Sequence, residues 1–167
     1  MSDLTVSEGV SAVVTRLLHA VDDLDWDTVR ALLADQVSLD YTSLWGGAPQ
    51  QLSGDEVVAT WRQLVPGFDA TQHLTGPVVV TAADDSGAVC TTTVRGYHTL
   101  VEGGHTGVWM VAGRYHITLT PAPVAPAWRI NGITLRVSYE EGSRVLVEQA
   151  RTRVAAGAGG RLAATRP

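Results

Sequence analysis

Five histidines and seventeen acidic residues carry most of the proton chemistry this chain can do. His73 stands in "TQHLTG", where a helical region gives way to strands. His98 stands in "VRGYHTLV", where alternation groups it with Val94, Gly96 and Leu100 on a mostly apolar face. Arg95, Tyr97 and Thr99 point the other way. Imidazole takes and returns protons near neutrality, because its unperturbed pKa is about 6.5. A histidine on an apolar strand face is therefore either a hydrogen-bonded core residue or a base held in a dry pocket. His116, in "GRYHITL", shares a face with Arg114 and Met110, while Tyr115 shares the opposite face with Val111 and Ile117. It reads equally as a solvated sheet residue or as part of a site. His105, in the turn "EGGHTG", and His19, one helical turn before Asp22, read as surface residues. Asp22 lies four residues after Leu18, at the border of an apolar stripe, so its carboxylate is either solvated or turned inward to a partner. Tyr41 ends a short strand, where its hydroxyl needs a partner if buried and can donate to a substrate oxygen.

Other chemistries lack their residues. There is no HExxH or His-x-His pattern, and nothing in the spacing asks for a metal. GxSxG, a phosphate-binding P-loop and GxGxxG are also missing. All twelve basic residues are arginine, which removes Schiff-base chemistry through a lysine. The single cysteine, Cys90, sits between Val89 and Thr91 in a strand pattern and reads as packing. The net charge is −5 with no basic cluster, which argues against a nucleic-acid partner. "MSDLTVSEGV" has no signal pattern, and no apolar run reaches membrane-spanning length. A soluble cytoplasmic protein with no membrane partner is expected.

The elements that must position these residues follow from periodicity. Val10, Val13, Val14, Leu17, Leu18 and Val21 form one helical stripe. "DLDWD" breaks it, and "WDTVRALLA" gives a second, short helix. "VSLDY" alternates as a strand over 37–41, and "TSLWGGAPQQ" reads as a loop. "SGDEVVATWRQLV" is a third helix with Ser53 and Glu56 as a capping box, ended by Pro66 and Gly67. From Thr71 the period changes. "HLTGPVVVTA", "AVCTTTVRGYHTLV", "GVWMVAGRYHITLTP" and "WRINGITLRVSY" read as four strands joined by turns, hence an antiparallel sheet. A closing helix is expected in "EEGSRVLVEQARTRV". Residues 1–152 form a single α+β domain, and 153–167 a low-complexity, mobile tail. Gly76, Gly96, Gly113 and Gly132 allow the strands to bend. A curved sheet closed by helices makes a cone with a pocket.

"DDLDWDTVRALLADQVSLDY", "TQHLTG", "GYHTL" and "WRINGITLRVSYEEG" together resemble the scytalone dehydratase group. That group belongs to the SnoaL-like branch of the nuclear-transport-factor-2-like fold, and the resemblance covers roughly 10–150. It implies a cone-shaped α+β barrel of three N-terminal helices on a strongly curved, mixed, mainly antiparallel sheet. The short first strand would insert parallel to a later one. It also implies a cofactor-independent lyase, a dehydratase acting on a small cyclic or polyketide-like β-hydroxy carbonyl compound. Carried over by position, the pocket aspartate is Asp22, a carbonyl-orienting tyrosine is Tyr41, and the histidine pair is His73 and His98. Asp22 is expected to orient His98. The second orienting tyrosine falls on Val21, and a substrate-holding asparagine falls near His116. The expected substrate contacts are His116, Arg114, Val21, Leu44, Trp45 and Trp61. A homo-oligomer, dimer or trimer, is expected. Two other readings stay open: a polyketide cyclase or ketosteroid-isomerase-like enzyme with an aspartate base, and a non-catalytic ligand-binding or dimerisation module.

Overall fold

The computed structural model describes residues 3–123, 127–157 and 161. The chain forms α1 (Asp3–Asp22), α2 (Trp26–Leu32), β1 (Leu33–Asp40), α3 (Thr42–Trp45), β2 (Gln50–Ser53) and α4 (Gly54–Arg62). A 3-10 turn (Val65–Gly67) leads to β3 (Ala70–Thr75), β4 (Val79–Asp84), β5 (Gly87–Glu102), β6 (His105–Pro121), β7 (Trp128–Gly142) and α5 (Val145–Ala155). Among the described residues, five α-helices and seven strands make the α+β cone expected from the sequence. The strand order is β2-β1-β7-β6-β5-β3, with β4 also on β5. All pairings are antiparallel except β1 on β7, which is parallel, with Leu39 opposite Ile133.

The helices start and stop for local reasons. α1 ends at Asp22, and Leu24 takes a left-handed φ of 58° in the turn that follows. Asp25 then caps α2, accepting a hydrogen bond from Thr28 N at 3.1 Å. The capping box forms at α4: Ser53 Oγ accepts from Glu56 N, and Ser53 N donates to Glu56 Oε2 at 2.7 Å. Such caps each stabilise a helix by about 1 kcal/mol.

The structure divides the sequence more finely than periodicity does. "HLTGPVVVTA" is two strands rather than one, since Pro77 has no N–H to donate and parts β3 from β4. "TSLWGGAPQQ" is not all loop: Asp40 accepts hydrogen bonds from Thr42 N and Oγ1, which starts α3, and β2 begins at Gln50. Residues 158–160 and 162–167, most of the expected tail, lie outside the described residues.

One core fills the cone. Val10, Val14 and Leu17 of α1 and Val29 and Leu32 of α2 pack with Ile117, Leu119 and Ile130 of the sheet. Each such fully buried side chain contributes roughly 1.5–3 kcal/mol. The sheet bends where β7 carries one extra residue against β6, between the pairs Ala112–Tyr139 and Gly113–Val137. Only glycine fits at 113, because a Cβ there would run into the carbonyl of Arg136. No helix among the described residues is long and apolar enough to cross a membrane.

Candidate active site

The open end of the cone holds a cavity of about 790 Å³, within the range of small-molecule sites. Its floor is the inner face of the sheet, carrying His73, Val94, Gly96, His98, Trp109, Val111 and Tyr115. α1, the β1–α3 turn, α4 and α5 form its walls. Strand alternation places His73 inward from β3, between the outward-facing Gln72 and Leu74. His73 pairs with Gly96 on β5, and His98 lies two residues further along β5. The two imidazoles stand nearly perpendicular, 5.8 Å apart between centroids. Both rings fit because residue 96 has no side chain: a Cβ there would lie 3.2 Å from His73 Nε2 and 3.3 Å from His98 Cε1.

Asp22 reaches this floor from the last turn of α1. It accepts three hydrogen bonds: from His73 Nδ1 at 2.7 Å, from His73 N at 2.7 Å and from Thr71 Oγ1 at 2.9 Å. A carboxylate at a helix C-terminus is disfavoured by the helix dipole. Burial also pushes its pKa up, yet the bonds and charge of His73 and the Thr71 hydroxyl outweigh this and hold Asp22 below the usual carboxylate range. The ionised carboxylate holds a proton on His73 Nδ1, so that Nε2 is the lone-pair nitrogen whenever the ring is neutral. Arg161 braces the pair, donating to the Asp22 carbonyl and to Thr71 Oγ1.

His98 has a different environment. Its Nδ1 donates to the Trp109 carbonyl at 3.3 Å, and its ring packs against Phe68 and Trp109, with centroids at 5.0 and 4.7 Å. Burial, then the neighbouring His73, push its pKa down to about 3. The expected Asp22–His98 contact is therefore corrected: Asp22 orients His73. The end of α1 meets the start of β3, and a backbone carbonyl holds His98 instead.

Tyr41 and Tyr115 face each other across the cavity wall, with hydroxyls 3.4 Å apart and rings at 77°. Burial pushes both pKa values up, so both hydroxyls remain donors. Tyr41 is positioned by the turn around it. Asp40 binds Thr42 and forms an ion pair with Arg136 at 3.2 Å. Ser43 Oγ donates to Leu135 O at 2.6 Å and accepts from Val137 N at 3.1 Å.

Of the residues expected from sequence, Tyr41, His73 and His98 line the cavity, as do Val21, Leu44, Trp45 and Trp61. Asp22 lies behind His73. Arg114 and His116 are corrected: they project from the outer face of β6, opposite the cavity. The period of two that buries Tyr115 turns its neighbours outward. Tyr115 is the residue the sequence reading missed. Its grouping with Val111 and Ile117 on the buried face was the available signal.

Residues 2–134 match the SnoaL-like domain. The chain belongs to the SnoaL-like family. No curated protein matches it significantly. Among solved structures, it is similar to a protein from Kribbella flavida, with 24% identity, 90% of this chain and 99% of that chain covered, and a TM-score of 0.77. It is also similar to a candidate scytalone dehydratase from Novosphingobium aromaticivorans, with 14% identity, 85% and 90% covered, and a TM-score of 0.66. A third is the type 3 hexachlorocyclohexane dehydrochlorinase from Novosphingobium barchaimii, with 14% identity, 84% and 92% covered, and a TM-score of 0.67. These likenesses establish the fold.

Proposed function

We propose that this SnoaL-like chain is a cofactor-independent lyase that removes water from a small cyclic or polyketide-like β-hydroxy carbonyl compound. The observation that carries the reading is the 2.7 Å hydrogen bond that holds His73 against the Asp22 carboxylate and leaves Nε2 in the cavity. A base so oriented contributes about 10²–10⁴-fold. His73 Nε2 takes the proton α to the carbonyl. The C–H electron pair moves into an enolate, whose oxygen accepts hydrogen bonds from Tyr41 and Tyr115. The enolate collapses to the conjugated double bond, and the C–O bond breaks with its electrons on oxygen. The proton on His73 Nε2 passes to that oxygen, which leaves as water, and His73 is neutral again. Neutral His98 offers its Nε2 lone pair to the substrate hydroxyl.

Two of the structural neighbours carry names, scytalone dehydratase and hexachlorocyclohexane dehydrochlorinase, that both describe an elimination. They support the reaction class. The cyclase and isomerase readings need an aspartate base. Asp22 suits that role poorly, because His73 and Thr71 occupy both its oxygens and it does not line the cavity.

The test is turnover of a β-hydroxy ketone panel followed by mass spectrometry. The product loses the mass of one water. His73→Ala lowers the rate by about 10²–10⁴-fold while the melting temperature holds. A product of unchanged mass points to isomerisation, and an active His73→Ala variant ends the assignment.

A further inference from the structure

The charges around the cavity are lopsided. Among the described residues, no aspartate or glutamate lines it, and Arg151 is the one permanently charged side chain there. Arg151 stands on α5, where Val154 and Ala155 follow at helical spacing and line the same cavity. Its guanidinium lies over the ring of Trp45, 5.7 Å from the centroid. Trp45 in turn packs on Trp109 at 5.8 Å, and Trp109 packs on His98.

Arg144 gives the contrast. It lies over the same Trp45 ring at 5.1 Å, but Glu140 neutralises it at 3.1 Å and it donates to the Leu44 carbonyl. Arg153, on the same helix, is paired with Asp69 at 2.8 Å. Arg151 has no acidic partner and no hydrogen bond among the described residues. A guanidinium that stacks by its face keeps its N–H donors, which lie in its plane, free to meet a planar anion in a fork.

We propose that Arg151 makes the cavity selective for ring compounds bearing a carboxylate, with the acid group at Arg151 and the ring between Trp45 and the histidines. The proposal rests on this cavity being the substrate site, the reading given above. It adds a second recognition point to the Asp22–His73 end. The substrate class becomes a cyclic β-hydroxy carbonyl acid rather than a neutral ketone.

The experiment reads binding, so it does not depend on turnover. Calorimetry compares 2-naphthoate with 2-naphthamide, which keeps the ring and shape and drops the charge. Wild type is expected to bind the carboxylate roughly tenfold tighter at low salt, a modest value because the mouth is open to solvent. Raising the salt to 0.5 M should shrink the difference. Arg151→Gln should weaken 2-naphthoate to the level of 2-naphthamide and leave the amide unchanged, which also reports an intact fold. Equal affinity of the two ligands for wild type overturns the proposal. So does equal loss of both in Arg151→Gln, or no binding of the carboxylate. His73→Ala separates the two readings. A variant that still prefers the carboxylate keeps Arg151 as the selector, whatever becomes of the elimination.

Discussion

His73 and His98 face one cavity from paired strands, yet their surroundings make them different reagents. A carboxylate grips the Nδ1 of His73. A peptide carbonyl and two aromatic rings hold His98, whose pKa falls to about 3. The same imidazole is thus paired with a carboxylate in one place and is a wall that stays neutral down to about pH 3 in the other. What separates them is the partner of one ring nitrogen, supplied by the end of α1 in one case and by the adjacent strand β6 in the other.

The sharpest way to break this contrast is at Asp22. Asp22→Asn takes the charge from behind His73 and offers an amide N–H where His73 N now donates. Turnover should fall by about 10²-fold or more, the value of a correctly held base. Stability should fall by about 1–3 kcal/mol, the cost of a mispaired buried group. Steady-state kinetics and urea unfolding read the two separately. Full activity would mean that the carboxylate does not distinguish the two histidines.

A second test uses acid. An unfolded histidine titrates near pH 6.5, whereas folded His98 resists protonation down to about pH 3. Between these values the unfolded chain binds a proton that the folded chain refuses. Stability from this group is therefore complete above about pH 6.5, declines as pH falls, and levels off near pH 3. The loss across the window is at most about 5 kcal/mol. Urea unfolding at pH 7, 5 and 4 should show the slope in wild type and a shallower one in His98→Phe, whose ring suits the Phe68 and Trp109 surroundings. Parallel slopes would place His98 in water.

The mildest test sits between the two rings. In Gly96→Ala the new methyl would lie 3.2 Å from His73 Nε2 and 3.3 Å from His98 Cε1, so both rings must yield by a few tenths of an ångström. A severalfold loss of turnover is expected, with a destabilisation of about 1 kcal/mol. An unchanged rate would show that the spacing of the two imidazoles is not critical.

The sequence made the elements legible and their long-range partners much less so. Val10 to Val21 announced α1 by its period, and Ser53 and Glu56 announced α4 by its cap. His98 was correctly placed on an inward face, because alternation reports local geometry. Alternation also placed Tyr115 inward, but the resemblance directed attention to His116, one residue away, and one residue on a strand is the opposite face. The assignment of Asp22 to His98 rather than His73 failed for a related reason. Which imidazole the end of a helix reaches depends on how α1 packs across β3, and no local pattern encodes that. Arg151 carried no signal at all, since an arginine within a helix is ordinary until its neighbours are seen to be paired.

The parallel seat of β1 on β7 has a consequence for how the chain is made. Leu39 and Asp40 pair with Ile133 and Thr134, so the strand that leads into Tyr41 must wait for the last strand before it can dock. Loop closure over such a span is entropically slow, and pairings of this kind delay folding relative to hairpins. β5, β6 and β7 can zip together from neighbouring turns, while the edge of β7 stands open until β1 arrives. During synthesis the wall bearing Tyr41 then cannot seat until β7 has emerged. Until then β1 carries an unpaired edge, which is where chaperones would be expected to act.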